Sequence, residues 1–221
     1  MQKLLITITL SLFLLSCKKE ENSIPEFSEA AYKITVTGLW KSPEFGVPPS
    51  VHFTNFVGMV HNQNSFLWKS GSLASIGVEN IAEIGVSSVL FAEVDSAINL
   101  KMALAPISIP APAPTGSANR TIYCNSNYSY FSFISMLAPS PDWFVGINGF
   151  NLYNNKQWIS DTTILLYAYD AGTEDGDVFG YGNPPTVPQE NIQLLTTSKG
   201  MTLANGNPSL GPIATVRITR Q

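Results

Sequence analysis

The chain has 221 residues, of which only 13% are charged, and 16 Asp and Glu against 12 Lys and Arg leave a formal net charge of −4. A mildly acidic chain without a basic cluster argues against nucleic acid as a partner. Few charges with abundant Gly, Pro, Ser, Asn and Thr is the composition of an extracytoplasmic all-β domain with many turns.

The first residues read as an export signal. Met1-Gln2-Lys3 supplies one positive charge, and Leu4 to Leu15 is an apolar run too short to span a bilayer as a helix. Leu14-Leu15-Ser16-Cys17 resembles the bacterial lipobox, which predicts cleavage after Ser16 and a lipid anchor on Cys17. The competing reading is an ordinary secretory signal with an incidental cysteine. Two or three acyl chains anchor a protein stably, where one holds it only marginally. The expected organisation is a signal peptide over residues 1–16, a lipidated Cys17 with a polar tether over 17–29, and one domain over 30–221. Loss of Lys3 with the signal takes the net charge from −4 to −5. No aspartate directly follows Cys17, which leaves the outer membrane as the expected address. Lys19-Glu20-Glu21 is similar to a short signal that sends some Gram-negative lipoproteins to the cell surface, and equally to a plain spacer, so the periplasmic and surface faces both stay open. Acylation of Cys17 leaves Cys124 as the single free thiol, so no intrachain disulfide is expected. Cys124, in an aromatic strand region, should be a small buried hydrophobe.

Along the domain, Tyr32-Lys33-Ile34-Thr35-Val36-Thr37 alternates apolar and polar with period two, the pattern of a strand with one face inward. Val78, Ile81 and Ala82 share one face of a short helix, Glu79 and Glu83 stack on another, and Gly85 is placed to end it. Ala105 to Ser117 carries Pro106, Pro110, Pro112 and Pro114. It cannot be an interior strand and reads as an extended surface connection. Tyr123, Tyr128, Tyr130, Phe131 and Phe133 form a β-favouring region. The segment Ile164–Tyr169 is apolar at every position, which predicts a central strand covered on both faces. Ala214-Thr215-Val216-Arg217-Ile218-Thr219 alternates again, and the first and last strands should pair or neighbour one another. The sum is an all-β antiparallel sandwich with one short helix.

Acids cluster in two turns. Between Thr121 and Ser198 the only Lys or Arg is Lys156, against seven acids, and four of these lie from Asp170 to Asp177. Clustered carboxylates repel one another unless solvent or a metal relieves the repulsion, and acidic loops at strand ends can bring several oxygens to one hard cation.

These turns also carry a family resemblance. Ser140-Pro141-Asp142-Trp143-Phe144-Val145-Gly146, followed by Asp170-Ala171-Gly172-Thr173-Glu174, resembles the spondin domain of F-spondin and mindin. The upstream run His52-Phe53, Phe56-Val57-Gly58, His61, Asn64, Trp68, Gly71, Gly77-Val78-Glu79 and Ile81-Ala82-Glu83 is similar to that family. So are Tyr32 with Gly38-Leu39-Trp40, and Ile192 with Leu195-Thr196. The resemblance spans roughly Ala30 to Arg220. It implies a C2-like sandwich whose loops at one end gather calcium, with Asp142 and Asp170 as ligands. The third family position is an aspartate; here Glu174 stands there, with Asp175 next along as its possible substitute. Calcium accepts six to eight oxygens in flexible geometry, so the longer side chain is tolerable. Against this stands the bland reading, in which Asp142 and Asp170 are turn residues accepting local backbone hydrogen bonds. The loop is not an EF-hand, because Tyr181 occupies its twelfth position, where a bidentate Glu is required.

Trp40, Trp68 and Trp143 read as core, while Trp158 in its polar setting could be exposed. His52 and His61 read as hydrogen-bonded structural residues, and no Gly-x-Ser-x-Gly, His-Glu-x-x-His or phosphate loop is present. The leading expectation is a non-enzymatic calcium-binding adhesion or recognition module. The resemblance implies extracellular matrix, cell-surface receptors or microbial glycolipid as partners of animal relatives. The alternatives are a glycan- or small-ligand-binding lipoprotein using aromatics such as Trp158 and Tyr181, and a hydrolase built around His52 or His61.

Overall fold

The computed structural model describes residues 27–40, 50–195 and 212–221. The expected signal peptide, Cys17 and all but the last residues of the expected tether lie outside the described residues. In chain order the elements are β1 (Glu29–Gly38), β2 (His52–Phe53), β3 (Phe56–His61), α1 (Ile76–Ile84), α2 (Ser88–Asn99), β4 (Ala103–Ile109), β5 (Ser117–Asn125) and β6 (Tyr130–Ala138). They continue with β7 (Trp143–Asn151), β8 (Tyr153–Asn154), β9 (Gln157–Trp158), β10 (Asp161–Leu166), β11 (Ala168–Asp170), β12 (Gln193–Leu194) and β13 (Ala214–Arg220).

The period-two strands at the two ends of the domain are neighbours. β1 pairs antiparallel with β13 from Tyr32↔Arg220 to Gly38↔Ala214, and with β5 along its other side. Together with β10 they form a sheet in the order β10-β13-β1-β5. A second antiparallel sheet runs β12-β11-β7-β6-β3-β4, with β2 paired to β6. Tyr32, Ile34, Val36, Val216 and Ile218 from the first sheet meet Phe56, Phe131, Phe133 and Val145 from the second in one continuous core. Trp40 and Trp143 are buried in it as expected.

The outer face of the second sheet is also covered. Val78, Ile81 and Ala82 of α1 and Leu90 and Val94 of α2 pack on Val57, Met59, Ile134 and Phe144, with Trp68 beside them. The molecule therefore has three layers, and β6, in the middle one, is buried at every position after Tyr130. That is where the doubly covered strand lies. Ile164–Tyr169 is instead divided between two sheets. β10 is an edge strand with Leu165 half exposed, and the chain crosses at Tyr167 into β11 of the other sheet. Its continuous apolarity reflects a crossing, in which the inward face changes sides, rather than cover on both faces.

Helix α1 begins and ends as its residues dictate. The Ser75 hydroxyl accepts from the Val78 N–H at 3.2 Å, and Gly85 closes the helix at φ 67. Helix α2 is an addition to the single expected helix. Its Glu93 carboxylate accepts from the Gly77 N–H in the first turn of α1 at 2.8 Å and from the Ser75 hydroxyl at 2.7 Å, which locks the two helices together. Within the proline-rich stretch, Ala103–Ile109 forms β4 at the edge of its sheet, where Pro106 lies opposite Met59. Cys124 is buried in β5 with its thiol donating to the Ala30 carbonyl at 3.4 Å, and burial pushes its pKa up to about 12.

Candidate metal centre

Because β7 runs antiparallel to β6 and β11 antiparallel to β7, both acidic turns fall at the same end of the sandwich. Asp170 lies opposite Trp143, next to Asp142, and the Ala171 N–H donates to the Asp142 carbonyl at 3.2 Å. Asp142 is wholly buried. One of its carboxylate oxygens, Oδ2, accepts from the Thr173 N–H at 2.7 Å, the Glu174 N–H at 3.2 Å and the Thr173 hydroxyl at 3.3 Å. Asp170, 4% exposed, accepts from the Gly172 N–H at 2.9 Å through Oδ1. These bonds match the bland reading of both residues as far as they go, since each carboxylate organises local backbone.

What they organise is a further acidic cluster. Holding Thr173 and Glu174 against Asp142 sets the Glu174 carboxyl beside Asp142 and beside Glu83, which the last turn of α1 delivers from the outer layer. Burial raises the Glu174 pKa to about 7, and the charges of Glu83 and Asp142 add to the rise, against a hydrogen bond with Asn183 that lowers it. Glu83 is raised too, first by burial and then by Glu79 and Asp142, while a hydrogen bond with the Thr173 side chain opposes this. Among the described residues no Lys or Arg contributes to either shift. Asp175 faces elsewhere. It is exposed and accepts from the Thr186 hydroxyl at 2.6 Å across its own loop.

The structure thus brings Asp142, Asp170 and Glu174 to one end, adds Glu83 from a helix, and leaves Asp175 outside. Among the described residues no set of three or more His, Cys, Asp or Glu side chains is gathered tightly enough to hold a metal ion as it stands. The donor chemistry suits a hard cation nonetheless: carboxylates from three elements, with a threonine hydroxyl between them. Glu83 was legible as part of the helix but not as part of this site. The available signal was its place one turn below Glu79 and next to the buried Ala82.

The sign of the pH effect follows from these shifts. An unfolded glutamate sheds its proton near 4.5, whereas folded Glu174 keeps its proton to about 7. Between those values the folded state binds more protons, so stability falls as pH rises through that window. With calcium chelated, Glu174→Gln should lessen the fall in melting temperature between about pH 5 and about pH 8. Buried His61 has a lowered pKa and acts in the opposite direction, but it does so in both proteins. Superimposable pH profiles would refute the placement of Glu174.

Among the described residues neither histidine is set with the partners of an accessible catalytic site. His61 is fully buried, and its Nδ1–H donates to the Asn62 carbonyl at 2.7 Å, which leaves Nε2 to accept from the Ser132 hydroxyl at 2.8 Å. Ser132 is itself fully buried, so this serine–histidine pair has no access for a substrate. His52 is exposed and bonded only to the Ser50 carbonyl among the described residues. Trp158 is half-buried rather than exposed, with its Nε1–H donating to Ser28 Oγ at 2.9 Å, while Tyr181 is exposed.

Comparison with known proteins places the chain in a wider group. The family model described as Spondin_N matches residues 30–206. Spondin-2 of Homo sapiens is 32% identical over 203 residues, covering 86% of this chain and 61% of that protein, and spondin-2 of Rattus norvegicus is also 32% identical. Spondin-1 of Rattus norvegicus is 31% identical over 183 residues, which are 76% of this chain and 22% of that protein. The chain thus spans about three fifths of the spondin-2 relatives and about a fifth of spondin-1.

Proposed function

The chain belongs to the Spondin_N family, and from that premise we propose that it is a non-enzymatic, calcium-binding recognition module. It is held to a bacterial outer membrane by a lipid on Cys17 and adheres to an extracellular protein or glycan. The observation that carries the calcium reading is the meeting of Glu83, Asp142 and Glu174, in which the charges of Glu83 and Asp142 raise the Glu174 pKa and the charge of Asp142 raises that of Glu83. Asp142 and Asp170 shape the turn, and Glu83 and Glu174, with their longer rotatable side chains, supply the remaining carboxylates. A bound calcium ion would neutralise the cluster and tie the 171–174 turn to the end of α1. Adhesion then depends on calcium through the rigidity of that end. That this chain shares the partners of its relatives is an inference from the family alone.

Extracellular calcium modules have dissociation constants of about 0.1–1 mM. At roughly 1 mM calcium and a constant near 0.1 mM, linkage stabilises the fold by about 1.4 kcal/mol. For a domain of this size the melting temperature should rise by about 3–5 °C. Glu174→Gln and Glu83→Gln should each remove most of the rise, and Asp175→Asn should leave it intact. A melting curve unmoved by several millimolar calcium would exclude the calcium reading. On an array of matrix proteins and polysaccharides, retention of the protein should fall when calcium is chelated.

The anchor has its own test. Cys17→Ser should leave an unlipidated precursor, since no other atom substitutes for the thioether sulfur. If this variant still sedimented with outer membranes after a high-salt wash, the lipid anchor would be ruled out.

A further inference from the structure

The end of the sandwich remote from Asp142 carries a second feature. β6 runs from that end, at Tyr130, to the acidic end at Ala138, and eight rises of roughly 3.3 Å separate the two by about 26 Å. There the loop after β3, the turn between β5 and β6 and the end of β7 enclose a recess of about 400 Å³. Five side-chain amides line it, from Asn62, Gln63, Asn64, Asn127 and Asn151, together with two serines and the tyrosines Tyr130 and Tyr153. Among the described residues no charged side chain lines it.

That lining selects by chemistry. An ion would find no counter-charge there. An apolar ligand would strip water from the amides without replacing their hydrogen bonds. A neutral polyhydroxylated ligand fits, because each amide offers a donor and an acceptor side by side, and a tyrosine ring can cover the C–H face of a sugar. The recess is also held in shape. The Asn62 amide donates to the Lys101 carbonyl at 3.1 Å and its oxygen accepts from the Asn64 N–H at 3.0 Å. The Asn151 oxygen accepts from the Ser129 hydroxyl at 2.8 Å and the Tyr153 N–H at 3.1 Å, which orients its NH2 group. Behind the Tyr153 ring stands Trp158, with centroids 4.5 Å apart. The exposed Gln63 and Asn127 side chains make no hydrogen bond among the described residues, so both remain available to a ligand. Binding costs least where the polar groups are already ordered.

We propose that this recess binds neutral sugar units of a glycan, independently of the calcium site. With no carboxylate in its wall among the described residues it lacks the acid pair that glycoside hydrolysis needs, so it retains its ligand rather than cleaving it. The test titrates the full-length chain, by calorimetry, with neutral oligosaccharides of glucose, mannose, galactose and N-acetylglucosamine. Binding of at least one in the millimolar range or tighter is expected. Asn127→Ala, which disturbs no bond of the fold, and Tyr153→Ala should each weaken it by about tenfold or more. Chelating calcium, or Glu174→Gln at the other end, should change it by less than about twofold. No binding across the panel at tens of millimolar would overturn the proposal. So would binding that survives Asn127→Ala and Tyr153→Ala, or binding that is lost with calcium. A preference for acidic over neutral oligosaccharides would also refute it.

Discussion

Asp142→Ala is expected to lower the stability of the domain by about 3 kcal/mol or more, because it strands backbone donors in a dry turn. Its Oδ2 receives the Thr173 and Glu174 N–H groups and the Thr173 hydroxyl, and Thr173 is only 6% exposed. Each buried donor left without an acceptor costs about 1–3 kcal/mol, and bonds to a charged acceptor lie toward the upper end. In a domain of this size the melting temperature should fall by roughly 6–12 °C. Asp142→Asn keeps the shape and one acceptor oxygen and should recover about half of the loss. These losses should persist with calcium chelated, because the bonds are internal to the protein. Melting of Asp142→Ala within about one degree of wild type would show that the turn is held by something else.

Gly172→Ala should be of similar size for a steric reason. Gly172 has φ 75, and a Cβ there would run into the backbone carbonyl of Glu190. That carbonyl cannot easily yield, since the Glu190 N–H is itself bonded to the Gly172 oxygen at 2.8 Å. Left-handed backbone and a blocked Cβ together should cost about 2–4 kcal/mol. Gly182 is the control. Its φ of 71 is nearly the same, but nothing stands within 4 Å of the Cβ position, so Gly182→Ala should cost only about 1 kcal/mol. Equal denaturation midpoints for the two variants would show that the contact with Glu190 is immaterial.

What could be read from the residues was whatever repeats locally. Period two over Tyr32–Thr37 and over Ala214–Thr219 located two strands that do pair, because a strand with one covered face records its environment in alternate positions. Helix α1 was legible because its cap serine, apolar face and closing glycine agree. Helix α2 was not. Its apolar residues Leu90, Phe91, Val94, Ala97 and Ile98 do recur at helical spacing, but Ser87 makes no side-chain cap and no glycine closes it. The run Ile164–Tyr169 misled because periodicity cannot distinguish cover on both faces from a change of sheet midway. At the acidic end Asp142, Asp170 and Glu174 could be aligned by motif, but Glu83 lies 59 positions before Asp142 and reaches it only through the packing of α1 on the second sheet. Long-range neighbours of this kind leave no local pattern.

The position of β1 bears on how the protein carries load. The chain enters the domain through β1, which lies inside its sheet, with nine residue pairs to β5 on one side and seven to β13 on the other. In the proposed tethered module, a pull between the tether and a partner gripped at the acidic end would act along the axis of β1, from Glu29 toward Gly38. The ladder bonds on both flanks run across that axis, so they are strained in shear and must fail together rather than peel one by one. A domain pulled in this direction should resist far more force than one drawn open from the β10 edge, where the bonds would give way in sequence. The mechanically strong direction is thus the one along which flow would load the proposed anchored module.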